Sequence, residues 1–276
     1  MKASKRILAA ALVAAVGTAA TFAAGSSEPK AKAKPVKIGV VGENNPQWDT
    51  IGKNLVKEGI TIEIVKFSDY TQPNQALADG ELDLNAFQHY AFLKKDAGAR
   101  KLALTAIGET VIAPLGLYSK KIKSVTELKE KDKIAIPNDA TNGGRALKLL
   151  EDAGLLKVKP ESGFLPTVAD ITGNRLKLEI VEVEAAQTPR LLADVAASII
   201  NGGHAVDAGL IPSKDAIFLE KVAGGANNPY INVIVARTSD KDNPTYQKVV
   251  AAYQTDEIAG LIQTAFKGSY IPAWKK

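Results

Sequence analysis

Val36-Lys37-Ile38-Gly39-Val40-Val41 is a short β-branched run of the kind that forms a buried strand. It ends in the turn Gly42-Glu43-Asn44-Asn45-Pro46, whose proline suits the first turn of a helix. Trp48, Ile51, Leu55 and Val56 then recur with the spacing of a helix face packed on a sheet. Gly59 stops that helix, and Ile60-Thr61-Ile62-Glu63-Ile64-Val65-Lys66-Phe67 reads as a second strand. Strand, helix and strand in this order make a parallel crossover unit, so the chain is α/β.

Working outward, the loop Ser68 to Gln72 leaves the carboxyl end of the second strand, where open α/β sheets bind ligands, and it carries Tyr70. A short helix from Pro73 to Asp79 and a short strand Leu82-Asp83-Leu84-Asn85 follow, and a helix is expected over Gln88 to Lys95. Between them stand Phe87, Gln88 and His89, too polar for plain core and too aromatic for plain surface. The segment Leu102 to Tyr118, interrupted by Pro114 and Gly116, holds the first crossing to a second lobe. Ser124 and Glu127 have the spacing of a capping box. Lys133 to Pro137 starts a second α/β unit, and Asn138 to Arg145 is its glycine-rich strand-to-helix loop. A strand is expected over Leu178 to Val183. A helix is expected from Thr188-Pro189 through Leu191, Leu192, Val195 and Ile199, and a strand over Ala205 to Ala208. Pro229 to Arg237 reads as a strand returning to the first lobe, where two helices finish the fold.

The net charge of +5 includes Lys2, Lys5 and Arg6; without those three it is about +2 (5 − 3), and no long basic block suggests nucleic acid. Those residues are the n-region of an export signal over residues 1–25, followed by an alanine-rich apolar stretch and small residues near Ala23. Residues 26–35, rich in Pro, Ser, Ala and Lys, have linker composition. There is no cysteine, hence no disulfide and no thiolate metal site. Neither histidine has a second histidine at zinc-ligand spacing, and phosphate-loop, G-x-S-x-G and H-E-x-x-H motifs are all missing. No metal, no cofactor and no enzyme activity are expected.

Asn142-Gly143-Gly144-Arg145 can grip an anion. A helix N-terminus offers free N–H groups, and an arginine in its first turn can hold a carboxylate through two parallel bonds. A capped helix with a solvent-facing arginine explains the same residues equally well. Tyr70, Phe87 and His89 can line an apolar slot with a polar edge, or be a core phenylalanine and a satisfied surface histidine. Asn201 can simply end a helix. Asn232, inside an apolar strand, needs a partner from backbone or ligand.

Several stretches together resemble the NlpA/MetQ family of substrate-binding lipoproteins of methionine ABC importers. They are Tyr-Thr-Gln-Pro-Asn-Gln-Ala-Leu at 70–77, Asp-Leu-Asn-Ala-Phe-Gln-His at 83–89, and Ile-Pro-Asn-Asp-Ala-Thr-Asn-Gly-Gly-Arg-Ala-Leu at 136–147. Asn-Pro-Tyr-Ile-Asn at 228–232 and Ile-Pro-Ala-Trp at 271–274 complete the set. The resemblance implies a two-lobed periplasmic-binding-protein fold, type II-like, with a ligand cleft between lobes joined by two crossover strands. Lobe one is expected to hold 36–115 and 230–276, and lobe two 116–229. The implied function is capture of L-methionine by lobe closure and delivery to an ABC permease in the membrane. Another amino acid, a short methionine-containing peptide, an exported enzyme or an adhesin are the alternatives. The implied ligand residues are Tyr70, Phe87 and His89 for the side chain, and Asn142, Arg145, Asn201 and Asn232 for the polar groups; Phe92 stands where the family often has Tyr. The implied protein is exported, a monomer, and located in the periplasm or on the outer face of the cytoplasmic membrane. Two departures stand out. Ser26 occupies the neighbourhood of the family's lipidated cysteine, and His204 follows Asn201-Gly202-Gly203, where the family often has an aromatic Tyr or Phe.

Overall fold

The computed structural model describes residues 34–222, 228–267 and 269–274. The expected export signal and the linker as far as Ala33 lie outside the described residues. In chain order the first lobe comprises β1 (Val36–Val41), α1 (Gln47–Val56), β2 (Ile62–Phe67), α2 (Pro73–Ala78), β3 (Leu84–His89), α3 (Tyr90–Arg100) and β4 (Leu104–Ile112). The second comprises β5 (Gly116–Tyr118), β6 (Lys133–Pro137), α4 (Ala140–Asp152), β7 (Lys157–Val158), β8 (Ile171–Gly173), β9 (Glu179–Val183), β10 (Ala197–Ile200), α5 (Gly202–Asp207), α6 (Pro212–Asp215) and β11 (Phe218–Leu219). The chain then adds β12 (Ile231–Arg237), α7 (Pro244–Tyr253), α8 (Asp256–Ala265) and β13 (Ile271–Pro272) to the first lobe.

Each lobe is a mixed sheet with helices packed on it. The first sheet has the order β13-β4-β12-β3-β1-β2, the second β11-β5-β10-β6-β9. β1 pairs in parallel with β2 and β3, and β6 in parallel with β9 and β10. The parallel strands direct their carboxyl ends, and the loops leaving them, at the cleft. Ile38 and Val40 of β1 are fully buried against Trp48, Ile51 and Leu55 of α1, joined by Val249 of α7 and Ile258 and Ile262 of α8. In the second lobe Ile134, Ile136 and Ile199 bury against Leu147, Leu149 and Leu150 of α4.

The lobes also touch directly. Asp207, the last residue of α5, accepts hydrogen bonds from the backbone N–H of Glu43 (3.2 Å) and Asn44 (3.1 Å) and from Asn44 Nδ2 (2.8 Å). Gly42 makes that approach possible: its φ of +84° favours glycine, and a Cβ there would run into the Asp207 carboxylate.

β3 contains an irregularity that shapes the site. Val233 of β12 faces Gln88 and Val235 faces Asn85, so Ala86 and Phe87 together oppose the single residue Ile234. This β-bulge breaks the two-residue alternation of side chains and puts Asn85 and Gln88 on one face. There they join Asn74 in a buried amide cluster: Gln88 Nε2 donates to Asn74 Oδ1 (2.5 Å) and Asn85 Oδ1 (2.9 Å), and Asn74 Nδ2 donates to Gln88 Oε1 (2.9 Å) and Asp96 Oδ2 (2.8 Å). A satisfied amide cluster of this kind rigidifies the strand that carries Phe87 and His89.

Four expectations for local structure are corrected. The helix expected from Gln88 begins at Tyr90, and β3 runs on through His89, whose Nδ1 accepts from Phe92 N–H (3.0 Å) at the helix cap. The helix expected from Thr188 to Ile199 is two 3-10 turns, Ala185–Gln187 and Arg190–Ala193, followed by strand β10. All four residues of β10 are buried, and a short continuous apolar run fits a buried strand and a helix face equally. The strand expected at Ala205–Ala208 is helix α5, with Asn201 at its N-cap position rather than at a helix end. At Ser124 a single 3-10 turn forms, and Glu127 reaches the N–H of Lys123 instead of Ser124 (3.1 Å).

Gly108 of β4 lies under α7, and a Cβ on it would approach Val250 Cγ1 to 2.5 Å. Gly108→Ala is therefore expected to destabilise the protein by about 2 kcal/mol through overpacking, measured as a lower urea midpoint at unchanged slope.

Candidate functional site

All seven residues singled out from sequence line one cleft between the lobes: Tyr70, Phe87, His89, Asn142, Arg145, Asn201 and Asn232. Its empty volume, open mouth included, is about 860 Å³, within the range of small-molecule sites. Tyr70 comes from the loop after β2, Phe87 and His89 from the bulged end of β3, and Asn232 from the start of β12, in register with His89. Asn142 and Arg145 sit on α4, and Asn201 follows β10.

One end of the cleft is aromatic. Tyr70 and Phe87 have ring centroids 6.0 Å apart in a stacked arrangement, and Phe92 sets its edge against both, at 6.0 Å and 5.9 Å. Phe92 therefore belongs to the apolar wall.

The other end is an ordered chain of polar groups. Asp139, the N-cap of α4, accepts from the N–H of Thr141 (3.2 Å) and Asn142 (2.9 Å). The helix-end amides expected to grip an anion are thus occupied by the chain's own carboxylate, because an Asp at the N-cap satisfies them first. The same Asp139 fixes Asn142. A carboxylate only accepts, so Asn142 presents Nδ2 to Asp139 Oδ2 (2.9 Å) and turns Oδ1 inward. Asn201 Nδ2 donates to that Oδ1 (2.8 Å), which leaves Asn201 Oδ1 buried and without a protein partner among the described residues. Asn232 Nδ2 donates to the carbonyl of Val111 (3.1 Å), a residue left out of the paired register where β4 bulges, and its Oδ1 keeps its accepting capacity.

His89 is 5% exposed. Burial first, and the Arg145 guanidinium second, bring its pKa from 6.5 down to about 3, against the hydrogen bond with Asn142. The ring is neutral, and since Nδ1 accepts from Phe92, the proton is on Nε2, which donates to Asn142 Oδ1 at 3.3 Å.

Arg145 is 3% exposed, which excludes the solvent-facing alternative. Its use differs from the two parallel bonds to a ligand anticipated above. The Nε–Nη2 edge already pairs with Glu220: Nε donates to Oε1 at 2.7 Å, and Nη2 donates to Oε2. Nη2 also donates to the carbonyl of Ala113 (3.1 Å), and the guanidinium lies 4.2 Å over the Tyr230 ring. Nη1 has no protein partner among the described residues. Arg145 can thus offer a ligand one nitrogen held in a fixed direction rather than a free fork.

Sequence reasoning did not select Glu220, Gln47 or Tyr230. Gln47 lines the cleft with its Oε1 buried and unpaired. Tyr230 lies inside the Asn-Pro-Tyr-Ile-Asn motif, so a signal was present; Glu220 stands in no motif, and its relation to Arg145 spans 75 residues.

Known proteins resemble this chain over most of its length. The family model described as NlpA lipoprotein matches residues 36–274. A Vibrio cholerae protein named probable D-methionine-binding lipoprotein MetQ is 42% identical over 265 residues, 95% of this chain and 97% of that protein. The Escherichia coli K12 protein named D-methionine-binding lipoprotein MetQ is 40% identical over 269 residues, 96% and 97% of the two chains. A solved nutrient-binding protein from Burkholderia cenocepacia, bound to methionine, superposes with a TM-score of 0.81 at 42% identity, covering 86% of this chain and 99% of that one.

The His89 environment sets a pH dependence. Unfolded, the ring takes up a proton near pH 6.5; folded, only near pH 3. Between those values the unfolded state holds more protons, so stability is complete above about pH 6.5 and falls as pH falls. Urea unfolding at pH 7 and pH 5.5 is expected to show a loss of about 1 kcal/mol attributable to this ring, removed in His89→Gln. An unchanged pH slope in the variant would show that the ring is solvated.

Proposed function

Because this chain belongs to the NlpA lipoprotein family, we propose that it is the extracytoplasmic solute-binding protein of an ABC importer, and that it captures methionine between its two lobes. Its work is binding, not catalysis. The observation that carries the reading is the division of the cleft into a zwitterion end and an aromatic end. Arg145 Nη1 takes the ligand carboxylate. Asn201 Oδ1 and Asn232 Oδ1, both acceptors, take the ammonium. Tyr70, Phe87 and Phe92 surround the thioether, which makes favourable contacts with aromatic rings.

Specificity follows from the same geometry. A ligand without an α-ammonium leaves Asn201 Oδ1 buried and unpaired, and one without a carboxylate leaves Arg145 Nη1 without a partner; either penalty exceeds what apolar fit restores. Lobe closure removes the ligand from water and presents a closed face to the permease.

Residues 1–25 act as the export signal and residues 26–35 as the tether to the binding lobes, which operate as a monomer on the outer side of the cytoplasmic membrane. No described helix is long and apolar enough to cross a membrane. The relatives are named lipoproteins, but a thioether-linked lipid is closed to this sequence, which has no cysteine.

Two measurements test the reading. Native mass spectrometry of the purified protein should show a bound mass equal to methionine that disappears after unfolding and refolding. Calorimetry on stripped protein should then show saturable binding of methionine at one site; titrating the L and D enantiomers separately assigns the hand. Asn232→Ala is expected to weaken methionine binding about tenfold while the fold is kept. If stripped protein binds no form of methionine, the assignment is wrong.

A further inference from the structure

His204 stands at the aromatic end of the cleft, and the recognition scheme above gives it no task. It lies in the first turn of α5 and is 7% exposed. Its ring centroid is 4.9 Å from that of Tyr70, with the planes tilted by 37°. It lines the same cleft as Phe87 and Phe92. Its Nε2 is buried and has no hydrogen-bond partner among the described residues. Burial holds its pKa below the ordinary value, although Asp207 and Asp69 pull the other way, so the ring is neutral at pH 7.

A neutral imidazole has one N–H donor and one accepting nitrogen. A buried nitrogen of either kind is costly when unpaired, and nearly all such atoms in folded proteins have partners. The ring packed against His204 does not supply one, since no hydrogen bond joins Tyr70 to His204. Phe87 and Phe92, which line the same cleft, have no polar atom. The occupant of the cleft can. The part of an amino acid that reaches this end is the tip of its side chain.

We propose that His204 is a specificity-determining residue whose Nε2–H donates to the side-chain heteroatom of the bound amino acid, so that the site selects a thioether over a hydrocarbon chain of the same length. The proposal rests on methionine as the ligand. Thioether sulfur is a weak acceptor and a methylene accepts nothing. The aromatic wall also favours sulfur, but more modestly, and that preference stays when His204 is replaced. The residue therefore separates two sources of selectivity that would otherwise coincide.

The test is calorimetry of the full chain with methionine and with norleucine, in which a methylene replaces the sulfur. Wild-type protein is expected to prefer methionine about tenfold. In His204→Phe the preference should shrink to about threefold or less, mainly through weaker methionine binding. His204→Gln, which keeps an N–H donor, should retain more of the preference than Phe does. A wild-type preference near unity, or a His204→Phe variant with the wild-type ratio, overturns the role of His204 while leaving methionine as the ligand. Failure of the wild type to bind either compound overturns the ligand assignment and this proposal with it. Should His204→Phe not fold, nitrogen-15 NMR of the wild-type ring gives the answer. The His204 Nε2 resonance is expected to differ between the methionine and norleucine complexes, and coincident resonances overturn the proposal.

Discussion

A buried ion pair between Arg145 and Glu220 stands where the chain passes from one lobe to the other. Glu220 follows β11 and lies on the return path, and its Oε2 also accepts from the N–H of Leu115 (3.0 Å) on the outgoing path. Arg145 adds a bond to the carbonyl of Ala113 on that outgoing path. The two side chains are 3% and 14% exposed. Taking both charges out of water is expensive, and a pair of this kind is repaid only when its remaining hydrogen-bonding groups are also satisfied. Here Leu115 N–H and Ala113 C=O satisfy all but Nη1, which is left for the cleft. The pair thus contributes less as net stability than as direction: it ties the outgoing path to Glu220 and fixes which edge of the guanidinium faces the cleft.

The polar end of the cleft inherits this logic of fixed directions. Asp139 sets the orientation of the Asn142 amide, Asn142 sets that of Asn201, and the Phe92 amide sets the tautomer of His89. Each group is held by one neighbour and turned by it toward the cleft. A zwitterion then meets acceptors and a donor already aimed, and little side-chain entropy is left to lose on binding. The aromatic end depends on a different device, the β-bulge in β3, with the Asn74–Asn85–Gln88 cluster behind it.

Much of this was legible in the sequence where the signal is local. The strand–helix–strand unit from Val36 to Phe67 has clean apolar periods, and local motifs carry Phe87 and His89 at the end of a strand and Asn142 and Arg145 at the start of a helix. The segment from Thr188 to Ala208 was misread because Leu191, Leu192, Val195 and Ile199 fit a helical period, although Ala197 to Ile200 form a buried strand. Asn201, a ligand residue by the family resemblance and a helix end by the local pattern, stands at the beginning of a helix. Relations between distant residues left no trace in either period or spacing. The occupation of the Arg145 fork by Glu220, and the use of the α4 amides by Asp139, depend on three-dimensional placement and on which acceptor arrives first.

The bonds that Asp207 receives from Glu43 and Asn44 have a consequence in time rather than in affinity. They join the lobes through residues that do not line the cleft. When the lobes part, these bonds must break, whatever the ligand is, and the carboxylate and amides are then taken up by water. The residence time of a captured molecule therefore includes a contribution common to every ligand, set by α5 and the turn at Gly42. Substrate choice and the pace of release are written in different residues.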